Sequence, residues 1–291
     1  MLLTVVVSSL AALSYGVSDF LGAVGARRLR VLPGTAVTYA FATATILIGT
    51  LIVGGVWSGG AIGWGVAAGV SAITGFLAFY AALAAGPMSL ASPLIAVLGS
   101  LVPVVVAIAL GEQLPWLGWV AVVIALVGGA LISITPRGSD RGIPRRTVVL
   151  SFVAGVFLGL SIVALDFAPA DAGLVPAFLE IATGTVLLGI LLVLAPLRRR
   201  LAVLDEEQEN PPTVVKARLA SAFGGVLLGA ANALILVGLQ VGSLAVVSVI
   251  VGLYPVVTIA LAAIVHRERL TVVQGVGVAL AVAAPVLLAA A

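Results

Sequence analysis

Long apolar runs, separated by short polar or glycine- and proline-containing breaks, dominate the chain. A helix needs about 20 mostly apolar residues to cross the hydrocarbon core of a bilayer, and ten stretches reach that length. They cover residues 3–24, 33–55, 61–84, 87–110, 115–135, 147–167, 172–195, 217–240, 243–265 and 270–290. These runs are rich in Ala and Leu and lack the alternation of a membrane β-strand. The pattern therefore predicts an all-α membrane protein with ten transmembrane helices.

One stretch of this pattern occurs twice without a gap. The first copy runs from Leu83 to Leu114 and the second from Leu239 to Leu270, with matching residues 156 positions apart. The match of Glu112 with Glu268 is informative because the chain has only 11 acidic residues. Both glutamates stand at loop tips, where we predict that each caps the N-terminus of the helix that follows it. The stretch indicates an internal duplication.

The duplication divides the ten predicted helices into two halves of five. Because five is odd, the second half must enter the membrane from the opposite side, which makes the halves an inverted-topology repeat. Many secondary transporters are built in this way, with the substrate site at the repeat interface near the bilayer midplane. We predict three parts, namely a first five-helix repeat at 1–135, a basic linker loop at 136–146 and a second five-helix repeat at 147–291.

Composition and charge agree with lipid as the solvent. The chain is 62% hydrophobic and 9% charged, whereas soluble domains carry about 25% charged residues. All 14 Lys and Arg residues fall in the loops after predicted helices 1, 5, 7 and 9 or, for Arg218, in the first turn of the helix after such a loop. Cytoplasmic loops carry the excess of positive charge, so we predict that these loops are inside and both termini outside. This topology explains the basic residues without a nucleic-acid partner.

Two motifs carry a resemblance to a known family. They are Tyr15-Gly16 in the first helix and Tyr254-Pro255-Val256 followed by Arg267-Glu268-Arg269-Leu270 near the end. In the first half, Gly111-Glu112-Gln113-Leu114 fits the family's Gly-Glu-x-Leu pattern, although Gly99 stands where the family has proline and Arg267 replaces the glycine in the second half. The chain resembles the EamA-type, ten-helix members of the drug/metabolite transporter superfamily. The resemblance implies a transporter of small metabolites, often an exporter of amino acids, and many members have cytoplasmic termini.

Ionisable side chains inside the predicted helices are the first candidates for a site. A charge at the bilayer centre costs at least about 2.5 kcal/mol, so such residues mark substrate or ion pathways. Glu180, near the middle of helix 7, is the strongest candidate, and its alternative role is a packing hydrogen bond between helices. Asp19 lies in the last third of helix 1, on the same face as Tyr15 four residues earlier. Its alternative is an interfacial carboxylate close to Arg27.

Uncharged polar residues could complete the same site. Asn232 and Gln240 lie eight residues apart on one face of helix 8, where they could also serve as hydrogen-bonding contacts between helices. Tyr80 and the repeat-related Ser92 and Ser248 could line the same cavity. Packing of small residues at a helix contact is the commoner role of such serines.

Three classes of function remain open. We favour a secondary active transporter, working by alternating access and coupled to protons, that exports an amino acid-like, cationic or zwitterionic solute. No Lys or Arg lies in the interior of a predicted span to pair with phosphate. The alternatives are an intramembrane enzyme, which would lack Cys and the usual hydrolase motifs, and a channel or membrane scaffold. We expect no cofactor and no metal, an integral location in the plasma membrane of a prokaryote, and leave a homodimer open.

Overall fold

Eleven α-helices make up nearly all of the described part of the chain. The computed structural model describes residues 1–29, 31–85, 88–132, 145–194, 211–266 and 271–291, and these contain no β-strand. In chain order the helices are α1 Leu2–Leu29, α2 Val31–Val53, α3 Gly59–Ala85, α4 Met88–Ala109, α5 Trp116–Ile132, α6 Arg145–Asp166, α7 Val175–Leu194, α8 Pro211–Val241, α9 Leu244–Val251, α10 Tyr254–His266 and α11 Val272–Ala290. A short 3₁₀ helix, Ala170–Ala172, lies between α6 and α7.

The helices have the length and apolar character of membrane spans. Eight spans of at least 18 residues occur among the described residues, with α9 and the first part of α10 forming one of them, and the shorter apolar helices 94–109 and 116–131 add two more. Large apolar side chains such as Leu51 and Ile52 stay exposed on the outside of the bundle, where lipid rather than water can cover them. The predicted all-α membrane fold is confirmed.

Helix packing repeats between the two halves of the chain. Helix α1 packs along α8 as α6 packs along α3, and α2 packs on α8 as α7 packs on α3. Likewise α4 contacts α6 as α9 and α10 contact α1. Corresponding helices of the two repeats also contact one another, namely α2 with α7, α4 with α9 and α5 with α11. This set of pairs is the one that a pseudo-two-fold axis between two five-span repeats produces.

Two glycines show the same symmetry at the level of residues. Gly69 on α3 and Gly225 on α8 are 156 positions apart. A Cβ atom on Gly69 would lie 2.6 Å from the carbonyl oxygen of Glu180, and one on Gly225 would lie closer still to the carbonyl oxygen of Thr38. Both positions need glycine because a neighbouring backbone occupies the space of a side chain. Glu180 and Thr38 are therefore equivalent positions of α7 and α2.

The directions of α2 and α7 show that the repeats are inverted. The hydroxyl oxygens of Thr43 on α2 and Thr185 on α7 lie 2.7 Å apart. Further along α2, Gly49 lies against Leu174, which precedes α7. The two helices are therefore antiparallel. Since they are the second helices of their repeats, the repeats cross the membrane in opposite directions.

The ninth span is broken, whereas the sequence predicted a continuous helix over 243–265. Helix α9 ends at Val251 and α10 begins at Tyr254. Pro255 has no N–H group to donate to the carbonyl of Val251, so the regular helical bond is lost there. The chain turns instead through a bond from the Val256 N–H to the Leu253 carbonyl, 2.9 Å long. The corresponding helix of the first repeat, α4, is continuous.

Two boundaries differ from the predicted ones by five or six residues. Helix α1 extends to Leu29, five residues beyond the predicted end. Helix α8 begins at Pro211 instead of residue 217. Proline is well tolerated in the first helical turn because the N–H groups there lack helical partners. Hydropathy marks only the apolar part of each helix, so it misses the polar turns at their ends.

Candidate substrate cavity

A cavity lies between the two repeats. It holds about 760 Å³ of space, counting the part that opens to solvent. Helices of both halves form its wall, α1, α3 and α4 from the first repeat and α6 to α10 from the second. The wall is mostly apolar and carries a few polar side chains, which are Tyr15, Ser100, Ser161, Glu180, Asn232, Ser248 and Tyr254. A mainly apolar pocket with few polar groups is typical of small-molecule sites.

Glu180 supplies the carboxylate of this wall. It stands on α7 and is 7% exposed. Its Oε1 accepts a hydrogen bond of 2.6 Å from the Ser161 hydroxyl, which also lies 3.0 Å from the Ala68 carbonyl oxygen. Its Oε2 is buried and has no hydrogen-bond partner among the described residues. An unsatisfied buried acceptor is costly, so this oxygen is available to a proton, a water molecule or a substrate.

Two tyrosines form an aromatic part of the wall. The rings of Tyr15 on α1 and Tyr254 on α10 have centroids 5.1 Å apart and planes inclined by 53°. Gly16 brings the helices together, because a Cβ there would lie 2.6 Å from the Tyr254 carbonyl oxygen. Thr258 adds a hydrogen bond of 3.1 Å to the Gly16 carbonyl. The Tyr15-Gly16 motif therefore positions the aromatic pair, whose faces can take an apolar or cationic group.

Asn232 and Ser248 are buried polar residues of the same wall. The Asn232 amide donates to the carbonyl of Leu228 at 2.9 Å, and the Ser248 hydroxyl donates to the carbonyl of Leu244 at 2.7 Å. Each residue thus satisfies a donor within its own helix. Toward the cavity, Ser248 offers an acceptor and Asn232 offers the rest of its amide group.

The other predicted site residues are not part of the described wall. Asp19 is exposed on α1, one turn beyond Tyr15. Gln240 is also exposed, and its amide donates to the Gly173 carbonyl at 2.9 Å, so it ties the end of α8 to the segment before α7. The side chains of Tyr80 and Ser92 lie outside the described residues.

The chain is similar to a known protein family in sequence and to a solved structure in fold. The profile of the EamA-like transporter family matches residues 145–290, half of the chain. The chain belongs to the EamA-like transporter family. A solved structure described as "Crystal structure of protein" superposes with a TM-score of 0.73 at 17% sequence identity, over 98% of this chain and 95% of the other. At that identity the similarity establishes the fold alone. No curated protein matches the chain.

Membership in the family makes this chain an integral membrane transporter for a small molecule. Sequence reasoning missed three polar residues of its cavity wall, which are Ser100, Ser161 and Tyr254. Ser161 looks like any small residue of a membrane helix, and only its bond to Glu180 distinguishes it. Tyr254 carried a signal, because it precedes Pro255 and a Tyr-Pro pair inside an apolar run predicts a helix break. Side chains beside such a break are free to face a cavity.

The transporter has one face that carries both termini. We call it the terminal face; it comprises Met1, Ala291 and the links 54–58, 110–115, 167–174 and 242–243. Hydrogen bonds join the links of this face and the helix ends beside them. Val56 donates its N–H to the Asp171 carbonyl at 3.0 Å, and the Thr4 hydroxyl donates to the Val241 carbonyl at 3.3 Å. Neither Lys nor Arg occurs in these links or termini.

Proposed function

We propose that this EamA-like transporter is a secondary active transporter that exports a small cationic or zwitterionic solute by alternating access. The observation that carries the proposal is the buried Oε2 of Glu180, a carboxylate oxygen without a partner among the described residues, in a cavity between inverted repeats. Inverted-repeat transporters bind their substrates at that interface. Intramembrane carboxylates in such a position mark substrate or ion pathways.

The chemistry of the wall supports the substrate class. The described residues of the wall include one carboxylate and no Lys or Arg. Among them, an amino group has a counter-ion, whereas a phosphate group has none. Tyr15 and Tyr254 offer ring faces for an apolar side chain or for the cation itself. Ser248 and Asn232 can accept or donate hydrogen bonds at the other end of a bound solute. An amino acid or a related amine fits this combination.

Proton coupling follows from the competition for a single carboxyl group. Glu180 cannot bind a substrate cation and a proton on the same oxygen at the same time. In a conformational cycle, the carboxyl group can release the substrate on one side of the membrane and take up a proton there. The cycle then exchanges substrate for proton. The gradient of protons then drives the solute uphill, without any nucleotide-binding module.

The orientation of the transporter follows from its charges. In the sequence, all 14 Lys and Arg residues lie in or beside the segments after the first, fifth, seventh and ninth spans, which the proposed topology assigns to the face opposite the terminal face. By the positive-inside rule that face is cytoplasmic, in the plasma membrane of a prokaryote, and the terminal face is outside. The two repeats would then comprise residues 1–135 and 147–291, joined by the cytoplasmic linker 136–146.

Transport by reconstituted protein tests this proposal. Proteoliposomes are loaded with buffer at one pH, diluted into another, and given a panel of radiolabelled amino acids and cationic amines. Protein-free liposomes are the control for leak. The proposal predicts that one or more solutes accumulate above equilibrium only while the pH gradient lasts. Equilibrating flux without accumulation would indicate a channel or facilitator, and conversion of a solute into a product would indicate an enzyme.

A further inference from the structure

A carboxylate from the first repeat is bound to a cavity helix of the second. Glu112 follows α4, just after a turn in which Gly111 has a φ of 83°. Its Oε1 accepts the N–H of Leu244 at 2.8 Å, and its Oε2 accepts the N–H of Ala245 at 3.3 Å. The hydroxyl of Ser243 also donates to Oε2. The sequence predicted that Glu112 caps the helix that follows it, α5, and this is wrong, because the cap is formed on α9.

The contact satisfies the end of a buried helix. The first N–H groups of any helix lack partners within it, and all eight residues of α9 are buried, so water does not reach these groups easily. The positive end of the helix dipole also favours a carboxylate over a neutral group. Ser243 adds an N-cap by accepting the N–H of Val246 at 3.4 Å. A charged side chain of the opposite repeat thus completes the cap of α9.

Helix α9 is also part of the cavity wall. Ser248 and Val251 of this helix line the cavity, as does Gly252 directly after it. The break before Pro255 separates α9 from α10, so α9 is joined to the rest of its span by a bend and not by continuous helix. Its first turn lies on the terminal face, where Glu112 binds. The position of α9 therefore affects both the cavity wall and the contacts between the repeats at that face.

We propose that Glu112 is a positioning residue for the transport cycle. While its carboxylate is bound to the N-terminus of α9, the cavity is closed toward the terminal face. When the carboxylate is released, α9 moves and the cavity opens to that face. This inference rests on the alternating access proposed above. Alternating access requires contacts between the repeats that form in one state and break in the other. The Glu112 contact joins the repeats at the link before α9 and is made of a few polar bonds, which can be exchanged for water when the face opens.

Cysteine accessibility tests the inference without substrate or gradient. The chain has no cysteine, so Ser100→Cys gives a single thiol in the cavity wall. A membrane-impermeant maleimide is added separately to each face of sealed vesicles, and Ala291→Cys, in a parallel preparation, identifies the terminal face. Adding Glu112→Gln keeps the size of the side chain but removes its charge. We expect labelling from the terminal face to become about tenfold faster, as for loss of a hydrogen bond to a charged group, and labelling from the other face to become slower.

The direction of the change separates positioning from mere support. A variant that only loosens the bundle speeds labelling from both faces, and that result would overturn the inference, as would unchanged rates in monodisperse protein. Asp171→Asn is the matched control, because Asp171 is an exposed acid on the same face. Its described contact is made by the backbone carbonyl, which the substitution keeps. Its rates should equal those of the unmodified background. The labelling rates of Glu112→Gln could change in opposite directions at the two faces while the unmodified protein transports none of the solutes. That result would sustain the inference and contradict the proposed function.

Discussion

The hydroxyl oxygens of Thr43 and Thr185 lie 2.7 Å apart at equivalent positions of the two repeats. The 142 positions between them also separate Thr38 from Glu180. Thr38 lies within hydrogen-bond distance of the carbonyls of Gly34 and Ser221, at 3.1 and 3.2 Å. At the position where one repeat has a satisfied threonine, the other repeat therefore has a carboxylate with one oxygen that lacks a partner among the described residues. The scaffold is symmetric, whereas the described cavity wall takes its carboxylate from the second repeat alone.

The close contact of α3 with α7 predicts a large difference between two glycines of α3. Gly69→Ala should lower the free energy of unfolding by about 1–3 kcal/mol, because the added methyl group meets the Glu180 backbone and the side chain of Thr183 and overpacking costs that much. Gly63→Ala should be neutral or slightly stabilising, since nothing lies within 4 Å of its Cβ. Thermal unfolding in detergent compares the two variants. Equal melting temperatures would contradict the packing.

The bond between Ser161 and Glu180 predicts an effect on substrate binding. Ser161→Ala leaves both carboxylate oxygens without a protein donor among the described contacts, so the carboxylate is held less firmly toward the substrate. We expect the KM for transport to rise about tenfold, the size of one hydrogen bond to a charged group, with the maximal rate less affected. Ser151→Ala is the control, because Ser151 is a buried serine of the same helix outside the cavity wall. Similar KM values for both variants would place the carboxylate outside the binding site.

The charge pattern predicts which face is outside. Single cysteines at Ser139 and Ala291 should react with an impermeant maleimide from opposite faces of the membrane. In intact cells, Ala291→Cys should react and Ser139→Cys should react only after permeabilisation, since basic loops stay in the cytoplasm. The reverse pattern would show that the orientation common in the family also holds for this chain.

Asp19 provides a comparison for the role of the carboxylate in the cavity. It lies outside the described cavity wall, so its charge is less closely tied to a bound solute. Asp19→Asn should retain proton-driven accumulation and change the KM by less than about threefold, within the range of partly screened charges. Loss of accumulation in this variant would move the coupling from Glu180 to Asp19.

The sequence was most informative where polar residues are rare. Long apolar runs identified the spans, because a bilayer imposes one length on every helix. Glu180 and Asn232 stood out because a buried polar group in such a run needs a reason. The helical period also grouped Gln240 with Asn232, but α8 ends at Val241, and a side chain in the last turn meets a link of the terminal face instead of the cavity.

What the sequence could not provide were contacts between distant segments. Glu112 has a helix directly after it, so a local cap was the natural prediction, yet inversion of the repeats brings the start of α9 beside it. Ser161 acquires its role only when α6 packs near α7. The break at Pro255 was visible in the sequence, but hydropathy averages over it and predicted one helix. These features depend on tertiary packing, which local patterns in the sequence do not reveal.

The most direct test of the account is proton-driven accumulation by Glu180→Gln in proteoliposomes. The glutamine can still accept the bond from Ser161 at Oε1, so the protein should fold and bind solute, but it cannot exchange a proton. Accumulation driven by a pH gradient and exchange of labelled for unlabelled solute are measured on the same preparation. The account predicts that accumulation is lost while exchange continues. Accumulation equal to that of the unmodified protein would contradict it, and Glu180 would then be a packing contact between helices.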